Sequence, residues 1–83
     1  MASEELLIIV GHAWQCSDCR RKLLQSPEEI ARSHFLDSAE TEVLKKLTAD
    51  DFLSVKRLAE VVGSTSSEIY DIMNHPRCRL RHL

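Results

Sequence analysis

Apolar residues recur at three- and four-residue intervals from Leu6 to Met73, the spacing that lines one face of an α-helix. Leu6, Ile9, Val10 and Ala13 make the first such face. Ser3 stands just ahead of it as an N-cap, so a helix is expected from there to about residue 14. Ser17 followed by Asp18 predicts a second start, with Leu23 and Leu24 inside. In Ser26-Pro27-Glu28-Glu29, Ser takes the N-cap, Pro the first helical position, and two acids the positive end of the dipole. That third helix is expected to reach about His34. Asp37 or Ser38 opens a fourth, with Val43, Leu44 and Leu47 inward.

Thr48-Ala-Asp-Asp51 reads as a capping box and is expected to open the longest helix, through Phe52, Val55, Leu58, Ala59 and Val62 to Gly63. A last helix carries Ile69, Ile72 and Met73 and ends by Asn74, ahead of Pro76. The expected fold is therefore all-α, a compact bundle of five or six short helices. Its expected core is Leu6, Val10, Ala13, Leu23, Leu24, Ile30, Leu44, Leu47, Phe52, Leu58 and Val62, with Trp14 closing one end. Residues 1–63 are read as the bundle. Residues 64–83 are a C-terminal helix and tail, in the same domain or appended.

The composition fits this picture. With 83 residues, 43% hydrophobic and 29% charged, the chain has room for one small globular domain. Only 2 Gly, 2 Pro and 5% aromatics argue against a turn-rich β fold. The longest apolar run, Leu6 to Val10, is far short of a membrane span and follows Glu4 and Glu5, where a secretory signal carries positive charge. No membrane partner is expected, and a cytoplasmic location is. Three cysteines, an odd number, point to reduced thiols. The net charge of −2 hides an asymmetry: residues 1–76 carry −5, and the last seven add +3 from Arg77, Arg79 and Arg81. An acidic body of this kind does not by itself suggest nucleic acid.

The stretch from Val10 to Pro27, with Cys19-Arg20, Leu23-Leu24 and Ser26-Pro27-Glu28, resembles a LigA-like helical pattern. So do Leu36-Asp37-Ser38 with Glu40, and Leu47-Thr-Ala-Asp-Asp-Phe52. That pattern belongs to the small subunit of extradiol aromatic-ring-opening dioxygenases and to leader domains in precursors of ribosomally made, modified peptides. Cys19 replaces the usual aromatic residue and Ser26 the usual acid. The resemblance covers about residues 4–62 and implies a non-catalytic module that docks to a larger enzyme. The C-terminal segment would be appended to it, with Cys78 and the arginines as side chains open to modification. Arg20, Arg21 and Lys22, with Arg77, Arg79 and Arg81, are the candidate partner contacts; the plainer reading of the first three is a solvated helix face.

A second resemblance runs from Ser54 to Asn74, which is similar to a helix-turn-helix of DNA-binding regulators. Ala59 is small where two helices would cross, Gly63 can take the turn, and Ile69 and Ile72 would anchor the second helix. Ser66, Ser67 and Tyr70, with Lys56 and Arg57, are then the candidate DNA contacts. Glu68 and Asp71 oppose that reading, because phosphate contacts supply much of DNA affinity.

His12, Cys16 and Cys19 are spaced for one face of a continuous helix, and His75, Cys78 and His82 echo them near the other end. Zinc takes four N or S ligands, so His12, Cys16, Cys19 and Cys78 form an alternative metal set. A cap at Ser17 would break the shared face. The plainer reading makes Cys16 and Cys19 small buried apolar residues and the histidines surface residues. No nucleophile with a positioned base is apparent, so neither enzymatic activity nor a cofactor is expected.

Overall fold

The computed structural model describes residues 3–76 and 78. Among them are six α-helices and one short 3-10 segment, with no strand. The all-α bundle of short helices is thus the fold.

The first helix, α1 (Glu4–Gln15), is the axis of the molecule. The Ser3 hydroxyl accepts the Leu6 N–H at 3.2 Å, and Glu4 and Glu5 face the positive end of the dipole. All eight residues from 6 to 13 are buried, so this helix is covered on every side, by α2 and α6 among others. Its partner α2 (Ser17–Gln25) begins one residue after α1 ends. The cap is Cys16 rather than Ser17: Cys16 is extended (φ −121°, ψ 114°), and its sulfur accepts the Cys19 N–H at 3.3 Å. Because α1 runs as far as Gln15, Cys16 is the single residue left to make the corner.

Ser26 stands at the N-cap of α3 (Pro27–Ser33), but its hydroxyl makes no capping bond. For α4 (Ser38–Lys46) the cap is Asp37, whose carboxylate accepts the Glu40 N–H at 2.9 Å. The long helix expected from Thr48 to Gly63 is two pieces. A 3-10 segment, Ala49–Leu53, is closed by the Thr48–Asp51 capping box. Ser54 then caps α5 (Val55–Val62) by accepting the Arg57 N–H. An extended residue at Ser54 cannot continue a helix, so α1 is the longest element instead. After α5 comes α6 (Ser66–Met73), capped by a Thr65–Glu68 capping box.

The core joins Leu6, Val10, Ala13, Leu23, Ile30, Leu44, Leu47, Phe52, Leu58 and Val62, as the helical spacing predicts. Leu24 lies at its edge, only partly buried, as does Trp14. The core also takes in Leu7, Ile9, Ala31, Val55, Ala59 and Ile69. Ile69 is 0% exposed. Through it, α6 belongs to the same core as α1 rather than hanging from it.

One buried charge holds the 3-10 segment. Asp51, 6% exposed, accepts from the Thr48 N–H at 2.8 Å and from Arg57 Nε at 3.2 Å. The Thr48 amide, then the Arg57 guanidinium, hold its carboxyl below the ordinary value of 3.8 against the opposing cost of burial. A carboxyl depressed in the folded state stabilises the fold above that ordinary value, and the contribution is lost as pH falls through the folded-state value. Asp51→Ala is expected to cost about 1–2 kcal/mol at neutral pH, the upper part of the range for losing a cap. Urea unfolding from neutral pH to below 3.8 should then show a shallower acid loss for the variant than for the parent. Parallel profiles would show that Asp51 is not the titrating group.

Candidate functional site

Two helices end in the same hydrogen-bonded turn. After α5, Gly63 lies in the left-handed region (φ 74°), and the Ser64 N–H reaches back to the Ala59 carbonyl at 2.8 Å. After α3, the Phe35 N–H bonds the Arg32 carbonyl and the Leu36 N–H bonds the Ala31 carbonyl at 3.0 Å. Both are Schellman turns. In the second the left-handed position is held by Phe35, at φ 58°. Left-handed backbone costs an L-residue with a Cβ roughly 1–2 kcal/mol, and a bulky side chain there is an outlier.

The backbone recovers part of that cost through the two hydrogen bonds of the turn, but glycine would make the same bonds without strain. The Phe35 side chain adds nothing: the residue is 94% exposed, the most of any large apolar residue described. Its neighbours are anchored. His34 Nδ1 lies 3.0 Å from Glu5 Oε2, and Leu36 packs on the core. The aromatic ring is thus held out into solvent from a fixed base. Leu53 and Tyr70 are the other exposed large apolar residues.

The basic run on α2 is not one uniform solvated face. Arg20 is half-buried, its guanidinium carbon 5.8 Å from the centre of the Phe52 ring, which is cation–π range. Arg21 is exposed and paired with Asp18 at 2.9 Å. Lys22 is exposed. Arg20 and Arg21 line an open groove of about 410 Å³ together with Leu24 and Ala49. Arg77, Arg79 and Arg81 lie outside the described residues, as does His82.

The α5–Gly63–α6 pair has helix-turn-helix proportions, two eight-residue helices joined by a three-residue turn. Ala59 is buried, and Ile69 anchors the second helix. Of the candidate DNA contacts, Ser67, Tyr70, Lys56 and Arg57 are exposed and Ser66 is half-buried. Arg57 is engaged with Asp51, and Glu68 is taken up in the capping box with Thr65. Asp71 remains on the exposed side of α6.

The corner between α1 and α2 gathers the first three metal candidates. His12, Cys16 and Cys19 place one ligand atom each within 4.8 Å of one another. His12 is 4% exposed, so it is no surface residue; Cys19 is buried and Cys16 half-buried. The break between helices does not separate them, because the N-cap sulfur and the residue three positions on are joined by the capping bond itself. Cys78 is 3% exposed and is not part of this group; its thiol donates to the carbonyl of Ile8 on α1 at 3.3 Å. His75 pairs instead with Glu4 at 3.2 Å.

No known family, curated protein or solved structure matches the chain. No helix of the described residues is long and apolar enough to cross a membrane. Phe35 is the feature that the sequence reading missed. The available signal was the lack of any Gly or Asn between α3 and α4, where the chain turns within four residues.

Proposed function

We propose that the chain is a non-catalytic docking module of the accessory-subunit or leader type, which binds a larger protein, an enzyme, through the aromatic knob at Phe35. One observation carries this reading: a bulky residue sits in a conformation that costs it stability, and its exposed side chain returns nothing beyond the turn hydrogen bonds that glycine would make without strain. A strained side-chain choice that the turn itself does not need points to use outside the molecule. An exposed aromatic on a rigid turn is the kind of side chain that fills a partner's pocket and dominates binding. The Arg20–Arg21 groove suits an acidic rim on the same partner.

Phe35→Gly separates this role from a structural one. Glycine takes the left-handed position without strain, so the variant should unfold about 1 kcal/mol less readily than the parent. A photo-crosslinking residue beside the turn, in full-length chain added to lysate of the native host, should capture an enzyme that Phe35→Gly no longer captures. Retained capture by the stabilised variant would end this reading.

The proportions of α5 and α6 favour a second reading, a helix-turn-helix regulator. It requires duplex DNA binding that weakens steeply with salt and fails when Tyr70 is replaced by alanine. Such binding, with no protein captured through residue 35, would establish the regulator in place of the docking module.

A further inference from the structure

The geometry points to a zinc site at the α1–α2 corner, with the His12 imidazole and the Cys16 and Cys19 sulfurs as its three protein ligands and the fourth position open to solvent. The ligand set is the first argument. Two thiols and an imidazole are the donors that zinc selects, and no other group of three such residues meets among those described. The spacing is the second. Tetrahedral zinc with ordinary bond lengths separates its ligand atoms by about 3.5–3.8 Å. The three atoms already lie within 4.8 Å, so side-chain adjustments of about 1 Å complete the site without moving either helix.

The surroundings fit the bound thiolates. Cys16 Sγ receives the Cys19 amide at 3.3 Å and sits at the positive end of the nine-residue α2, which favours negative charge on sulfur. The Cys16 N–H is bonded to the His12 carbonyl at 3.0 Å, so the backbone joins the same residues that the metal would join. His12 and Cys19 are buried while Cys16 is half-buried, which leaves the open coordination position on the solvent side of Cys16. Zinc there would tie the end of α1 to the start of α2. The site is independent of the docking reading and uses none of its residues.

The experiment uses the full-length chain, reduced and freed of metal, titrated with Co²⁺ and then with Zn²⁺ in competition. One equivalent of Co²⁺ should give the visible bands of tetrahedral cobalt and a thiolate charge-transfer band. Zn²⁺ should displace it and raise the melting temperature. Cys16→Ser keeps the N-cap, since serine is among the best capping residues, and so retains the helical circular dichroism while losing a ligand. It should weaken binding by more than the roughly 10–100-fold typical of losing an outer-shell partner. His12→Ala should weaken it comparably. Cys78→Ser, whose hydroxyl can still donate to the Ile8 carbonyl, should bind like the parent. Absence of a thiolate–cobalt band would overturn the site, as would unchanged affinity in the folded Cys16→Ser variant. Loss of binding in Cys78→Ser would overturn the three-ligand assignment.

Discussion

Replacing Ile69 with alanine is expected to lower the stability of the whole chain by about 2–5 kcal/mol. Ile69 is one of the few large side chains with no exposed surface, and it is the one fully buried residue of α6. Its removal loses the transfer free energy of three carbon atoms and leaves a cavity between α6 and the core, which close-packed neighbours fill only partly. A domain of this size has about 4–12 kcal/mol in total, so the loss is a large fraction of it. Each kcal/mol corresponds to roughly 4–8 °C in melting temperature, which places the effect well within reach of a thermal scan. The scan also tests the domain boundary. If α6 shares the core with α1, one transition moves as a whole. If residues 64–83 were an appendage, the main transition would stay where it is and only a minor one would shift. Unchanged melting of the body would therefore contradict the packing described for Ile69.

The helices were legible because their starts are local chemistry. Ser3, Asp37 and Thr65 each cap a helix by bonding an N–H three residues on, a relation written directly in the chain. The break at Ser54 was harder to read. Phe52 and Val55 are three apart, so apolar periodicity runs straight through the junction, although Ser54 itself is a second capping signal six residues after Thr48. Periodicity reports which side of the chain is buried and does not report whether the backbone is continuous. The Cys–His corner shows the same limit in reverse. A cap near Ser17 argued that His12, Cys16 and Cys19 are split between helices. They are, but a one-residue joint keeps them together, and joint length is set by where α1 stops rather than by any residue in the motif. Phe35 was harder still: the lack of Gly or Asn between α3 and α4 signals that some other residue must take the left-handed position, but turn chemistry gives no reason for it to be the aromatic one.

The crossing of α1 and α6 rests on the absence of a side chain, and Gly11→Ala is expected to destabilise the chain by about 1–2 kcal/mol, net of the roughly 1 kcal/mol that alanine gains over glycine within a helix. Propensity alone gives the opposite sign. A Cβ at residue 11, however, would lie 2.7 Å from Ile72 Cγ2 and 3.4 Å from Cys78 Sγ. The first distance is too short for two carbons. Cγ2 is fixed to a branched Cβ, so it yields only through a change in the Ile72 χ1 rotamer or a shift of α6. Either change reaches the core, because Ile69 lies one turn away on the same helix. The clash names its own remedy. Ile72→Ala removes Cγ2, and since Ile72 is only half-buried that change alone should be the milder one. Combined with Gly11→Ala it should relieve the overlap, so the double variant is expected to be more stable than the sum of the two single losses, by a coupling within the range of about 0.5–3 kcal/mol seen for residues in contact. Denaturant unfolding of the four proteins measures that coupling. Strict additivity, or a Gly11→Ala variant more stable than the parent, would mean that α6 does not approach α1 as closely at Gly11 as the 2.7 Å separation requires.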